Sequence, residues 1–245
     1  MMQAMIFAAG MGTRLKPLTD RMPKALVNVG GTPLLQHVII KMKNAGFERI
    51  VVNVHHFADQ IIDYLQNCHY FGLDIQISDE REMLLDTGGG IKAARSLFAE
   101  APILIHNVDI LSNIDLCRFY ASNTDAAATL LVSHRPTKRY LLFNDAMQLV
   151  GWTNIETGEV RSPFANLRPA DCKMLAFAGI HTFSPRLFPF MQPFPDRFGI
   201  IDFYLSVCHR VKIVGHIEKE LQLMDVGKLE TIGQADAFVE RLQHS

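Results

Sequence analysis

Residues 4–108 alternate between short, continuous apolar runs and longer runs in which apolar residues recur every third or fourth position. The continuous runs are 4–9, 49–54, 73–78 and 103–108, and the amphipathic ones are 34–45, 58–65 and 91–98. Their order reads β-α-β-α-β-α-β. Strands joined through helices lie parallel, their crossovers are right-handed, and the helices cover both faces of the sheet. Ligands of such sheets bind beyond the carboxyl ends of the strands.

The second half has a different pattern. Stretches 126–135, 140–144 and 149–152 read as hairpin-joined strands and 174–183 as a longer one, so the sheet is expected to become mixed. Helical patterns at 200–208 and 229–242 flank strands near 212–217 and 222–226. Stretches 135–139 and 157–169, rich in Pro, Gly and polar residues, read as loops able to close over a substrate. No repeat or linker divides the chain, and 245 residues are enough for one large core. The expected fold class is α/β: a single domain, 1–245, with a Rossmann-like three-layer α/β/α build around a mixed, mostly parallel sheet.

Composition excludes several partners. Lys plus Arg number 24 against 25 Asp plus Glu, so no net field draws the chain to nucleic acid or to an anionic membrane. Cys68, Cys117, Cys172 and Cys208 lack any C-x-x-C pairing, which argues against a zinc site and a secreted disulfide framework. The apolar run at 4–9 is too short for a signal segment, and no run nears the roughly 20 residues that cross a bilayer. A soluble, cytoplasmic protein is expected.

The segment Ala8-Ala9-Gly10-Met11-Gly12-Thr13-Arg14-Leu15-Lys16-Pro17-Leu18-Thr19 follows the first strand directly, with Pro23-Lys24-Ala25-Leu26 just beyond. Gly10 and Gly12 suit an anion-binding nest of backbone N–H groups, to which Arg14 would add a planar fork and Lys24 a point charge. A glycine-rich turn after a strand is equally a tight connection. The spacing fits neither a P-loop nor a dinucleotide fingerprint. With its flanks, the segment resembles the signature of the sugar nucleotidyltransferase family, G-x-G-T-R-L-x-P-L-T followed by P-K.

The resemblance implies that Ala8, Ala9, Gly10, Gly12, Thr13 and Arg14 wrap an NTP, and that Arg14 and Lys24 act catalytically by neutralising it as pyrophosphate leaves. Val29-Gly30-Gly31-Thr32-Pro33-Leu34-Leu35 looks like the family's next segment and reads as packing.

Three glycines in Leu85-Asp86-Thr87-Gly88-Gly89-Gly90-Ile91 leave room for a flat ligand or form a hinge before a helix. By resemblance Gly88 and Gly89 contact the nucleoside. His106-Asn107-Val108-Asp109 ends the most apolar strand, placing a carboxylate at the sheet's carboxyl edge, and Leu223-Met224-Asp225-Val226-Gly227 repeats the arrangement, although Asp225 equally suits a helix cap. Resemblance makes Asp109 and Asp225 the ligands of a catalytic Mg²⁺. Val108 departs from the glycine usual in the family, which points to altered room near the nucleotide or sugar. Asn107, Gly179 and Asp202 are the sugar-phosphate candidates; a bulge explains Gly179 and helix surface polarity explains Asp202 without a ligand.

His55 and His56, adjacent on a strand, point to opposite faces and read as structural. Trp152, Phe188, Phe190, Phe194 and Phe198 read as core.

The implied reaction joins an NTP to a sugar 1-phosphate, releasing pyrophosphate, in nucleotide-sugar supply for a bacterial cell envelope. Residues 1–112 would bind nucleotide and 113–245 the sugar phosphate. Within the family the chain is most similar to compact bacterial N-acetylmuramate 1-phosphate uridylyltransferases and mannose-1-phosphate guanylyltransferase-like enzymes, which favours UTP over GTP or CTP. No acyltransferase repeat follows. A phosphocholine cytidylyltransferase would need a cage of aromatic or acidic residues that is not evident. A non-catalytic homologue predicts loss of Arg14, Lys24 or a metal aspartate, and all four are present.

Overall fold

The computed structural model describes residues 1–122 and 124–243. The first half runs β1 (Met2–Phe7), β2 (Asn28–Val29), β3 (Thr32–Pro33), α1 (Leu34–Asn44), β4 (Phe47–Val54), α2 (Ala58–Asn67), β5 (Asp74–Asp79), α3 (Asp86–Ala93) and β6 (Ile103–Asn107). The second half runs β7 (Ile110–Ser112), α4 (Leu116–Ala121), β8 (Ala128–Ser133), β9 (Arg139–Phe143), β10 (Leu149–Asn154), β11 (Glu159–Arg161), β12 (Lys173–Phe183), α5 (Phe188–Met191), α6 (Ile200–Val207), β13 (Ile213–Ile217), β14 (Leu223–Asp225) and α7 (Leu229–Gln243).

One ten-stranded mixed sheet takes in both halves, in the order β11-β10-β9-β12-β6-β1-β4-β5, with β8 beside β12 and β13 beside β8. Strand β1 is parallel to β4 and β6, and β4 to β5. Strand β12 turns the sheet antiparallel by pairing with β6, β8 and β9. The continuous apolar character of β1 follows from its central place: Ala4 and Ile6 face the core beneath α1, α2 and α7, while Met5 faces the core beneath α3 and α6. The sheet is therefore the middle of three layers.

Two local readings change. Stretch 157–169 is not wholly loop, because Glu159–Arg161 extends the sheet edge as β11, with Arg161 opposite Trp152. The third helix begins at Asp86 instead of 91 and takes the three glycines inside it, although glycine is a poor helix former. The compensation is close packing against residues 196–198.

Candidate active site

The exit of β1 is pinned by a buried amide. Asn53, 2% exposed near the end of β4, accepts the N–H groups of Ala8 (2.8 Å) and Ala9 (3.3 Å) and donates to Glu80 Oε1 (2.7 Å) just past β5. The amides of Ala8 and Ala9 are thus satisfied by Asn53. Past them the loop opens. The N–H groups of Gly10, Met11 and Gly12 have no acceptor among the described residues, and nothing lies within 4 Å of where a Gly10 Cβ would be. Gly12 has φ 62°, and a Cβ there would come 2.8 Å from Thr19 Cγ2, whose Oγ1 donates to the Gly12 carbonyl (2.9 Å). Only glycine suits that turn.

The two strand-end aspartates meet through a small antiparallel ribbon. Strands β7 and β14 pair with Ile110 opposite Asp225, and Val226 N–H donates to the Asp109 carbonyl (2.8 Å). Lys24, 9% exposed, forms an ion pair with Asp109 Oδ2. Asp225 Oδ1 is buried and unpartnered among the described residues. Burial, and then the charge of Asp109, push the Asp225 carboxyl above the usual range, while Lys24, Arg14 and Arg135 pull it back. Arg14 lies against Gly227, where a Cβ would come 3.0 Å from its guanidinium and 2.7 Å from Asp225 Oδ1. Two neighbouring carboxylates, one with an orphaned buried oxygen, fit a hard divalent cation, which Asp109 and Asp225 would hold.

Lys24 and Asp109 border a cavity of about 350 Å³, whose wall does not include Asp225. Ala8, Ala9, Gly10, Lys24, Asn107 and Asp109 stand on its wall, as does Val108, 4% exposed. Gly12, Thr13 and Arg14 do not line it; Thr13 is exposed and Arg14 turns toward Asp225 and Gly227.

Gly88 and Gly89, the nucleoside candidates, are packed closely against the segment 196–198. Both donate their N–H groups to the Phe198 carbonyl (2.9 and 3.2 Å), and neither reaches the cavity wall. A Cβ on Gly88 would land on the Phe198 ring, and one on Gly89 on the Asp196 carbonyl oxygen. The room these glycines leave is filled by the chain itself. The wall positions belong to Leu84, Asp86 and Thr87, with Thr87 Oγ1 accepting the Ile200 N–H (2.9 Å) and Asp86 paired to Arg197 (2.9 Å).

Gly179 sits at a bulge in β12, φ 77°, with its Cβ position 2.8 Å from Asn107 Nδ2, so the bulge supports a cavity residue. Asp202 forms an ion pair with Arg161 in an adjoining hollow with Arg135 and Arg139. Asn53 and Glu80 escaped the sequence reading, and the arginines entered it only within the loops 135–139 and 157–169; the available signal was a polar Asn53 inside an otherwise apolar run. His55 donates Nδ1 to the Glu80 carbonyl (2.7 Å), and the His56 ring packs on Phe57. Among the described residues no cluster of three or more His, Cys, Asp or Glu could hold a metal, and no helix is long and apolar enough to cross a membrane.

Comparison with known proteins bears on the family and the fold. A family model described as nucleotidyl transferase matches residues 3–141. An N-acetylmuramate alpha-1-phosphate uridylyltransferase of Caulobacter vibrioides is 40% identical over 143 residues, which span 50% of this chain and 59% of that protein. The Neisseria meningitidis protein of the same name is 33% identical over 189 residues, spanning 76% of this chain and 77% of that one. The crystal structure of HddC from Yersinia pseudotuberculosis, complexed with GMP-PN, shares the fold with a TM-score of 0.76 at 20% identity, over 98% of this chain and all of that one. With the glycine loop, the paired aspartates and the shared sheet in place, the chain belongs to the nucleotidyl transferase family.

Proposed function

We propose that this chain is a cytoplasmic, Mg²⁺-dependent nucleotidyltransferase that joins UTP to N-acetylmuramate 1-phosphate, releasing pyrophosphate. The observation that carries the reading is the pairing of Lys24 and Asp109 on the cavity that the open glycine loop borders, with Asp225 held beside Asp109 by the β7–β14 ribbon. The nucleotide and acceptor are those for which the Caulobacter and Neisseria relatives are named.

In the reaction an oxygen of the sugar phosphate attacks the NTP α-phosphorus, a P–O bond forms, and the bond to pyrophosphate breaks. The attacking phosphate is already ionised, so no general base is needed. Gly10, Met11 and Gly12 offer N–H groups to the polyphosphate, and Lys24 and Arg14 offset the charge that builds on the leaving group. Asp109 and Asp225 would hold Mg²⁺, which would supply further charge stabilisation to the phosphates. Catalysis is positioning plus electrostatics. Residues 1–112 hold the nucleotide and 113–245 the sugar phosphate; the aspartate pair, one from each, is where the two substrates meet.

Pyrophosphate release with Mg²⁺, measured across a matrix of NTPs and sugar 1-phosphates, tests the reading. UTP with N-acetylmuramate 1-phosphate is expected to stand well above the rest. A different winning pair overturns the substrates, and silence across the matrix overturns the activity.

A further inference from the structure

The cavity wall at Gly199 has a second hollow behind it, of about 340 Å³. Leu141, Trp152 and Phe177 give it apolar surface, and Arg135, Arg139 and Arg161 surround it together with one carboxylate, Asp202. The whole chain has a net charge of −1, so this positive excess is local.

The three guanidinium groups are committed to different degrees. Arg161 lies 3.9 Å over the Trp152 ring, is paired to Asp202, and has Glu159 3.6 Å from its Nε. Its charge is already compensated. Arg135 donates to the Phe177 carbonyl (3.0 Å). Arg139 is exposed, and its side chain has no hydrogen-bond or ion-pair partner among the described residues.

Two elements join the hollow to the cavity. Strand β12 places Phe177 in the hollow and, two residues on, Gly179 against Asn107 of the cavity wall. The start of α6 places Gly199 in the wall and Ile201 and Asp202 in the hollow, with the Gly199 Cβ position 3.0 Å from Asp202 Oδ2. The hollow therefore adjoins the cavity along β12 and the start of α6.

We propose that this hollow reads a second anionic group on the acceptor: it takes a sugar 1-phosphate bearing a ring-linked carboxylate, with Arg139 as the specificity-determining guanidinium and Leu141 and Trp152 as the surface under the ring. The planar fork of arginine matches a carboxylate in a way a lysine point charge does not. The inference rests on the nucleotidyl-transfer reading of the cavity.

The test is calorimetric binding of N-acetylmuramate 1-phosphate and N-acetylglucosamine 1-phosphate, which share ring and phosphate and differ by the lactyl carboxylate. Both are titrated with Mg²⁺ and an α,β-methylene analogue of UTP into wild type, Arg139→Gln and Arg139→Lys. Wild type is expected to bind the acidic sugar at least about tenfold more tightly, as one charge-assisted hydrogen bond implies. Arg139→Gln removes that preference while changing the neutral sugar's Kd less than about threefold, and Arg139→Lys restores part of it. Equal binding of both sugars by wild type, equal weakening of both by Arg139→Gln, or no binding of either overturns the subsite. Pyrophosphate release with neutral sugar 1-phosphates, run in parallel, shows whether the transferase reading stands without it.

Discussion

Asp225 and Gly89 show how one side chain, or its lack, divides function from packing. Burial and the neighbouring Asp109 charge make an ionised Asp225 unfavourable in the folded state. Asp225→Asn relieves that repulsion, so its Tm is expected to equal or exceed that of wild type. Turnover with Mg²⁺ should nevertheless fall by at least about 100-fold, since even residues that only support a metal ligand cost 10- to 100-fold. Unchanged turnover at unchanged Tm sinks the metal assignment. At Gly89 two effects oppose each other. Alanine gains about 1 kcal/mol of helix propensity over glycine, but its Cβ collides with the Asp196 carbonyl, and overpacking costs about 1–3 kcal/mol. The collision wins because the obstacle is backbone. Gly89→Ala should therefore lower Tm by several degrees in thermal unfolding, with the KM for nucleotide unchanged in the protein that stays folded. A raised nucleotide KM at wild-type Tm would instead assign Gly89 to the nucleotide site.

Among the elements, the bulge in β12 couples fold to site most directly. Gly179 has φ 77°, which costs an L-residue about 1–2 kcal/mol, and its Cβ position presses on Asn107 Nδ2. Gly179→Ala is expected to lose roughly that stability in urea unfolding and to raise the KM for the sugar 1-phosphate more than that for the NTP; equal KM values to wild type would detach the bulge from the sugar site. The parallel strands β1, β4, β5 and β6 were legible because each is a continuous apolar run between helical periods, and their carboxyl ends pointed to Gly10 and Asp109. The meeting of Asp109 with Asp225 was not readable from spacing, because the β7–β14 ribbon that joins them consists of three residues from each of two distant segments. The packing of the glycine trio was unreadable for a related reason: a missing side chain looks the same whether a ligand or the Phe198 loop fills the gap. Strand β11, three residues with exposed Glu159 and Val160, carries no hydrophobic signal, and the arginines of the hollow lie outside any periodic pattern.

At the scale of the whole molecule, the layer beneath α6 buries a titratable group that neither proposal uses. His181 on β12 is 1% exposed, its ring lies 5.6 Å from those of Phe177 and Tyr204, and neither ring nitrogen has a partner among the described residues. Burial alone pushes its pKa down from 6.5 to about 3. His106, on β6, is likewise pushed to about 4, chiefly by burial. The folded protein holds both rings neutral, whereas the unfolded chain takes up protons near pH 6.5. Their contribution to stability is therefore complete above that pH and is lost as the pH falls toward the folded-state values. Each ring costs about 1.4 kcal/mol for every pH unit below 6.5 within its window. Chemical denaturation at pH 7, 6 and 5 should show this slope, and His181→Leu should reduce it by about one proton. Leucine cannot restore any ring contact, so the variant's stability at pH 7 separates lost packing from lost proton linkage. A slope unchanged by His181→Leu means that the native protein already protonates His181, which its surroundings of aromatic rings and apolar strand do not support.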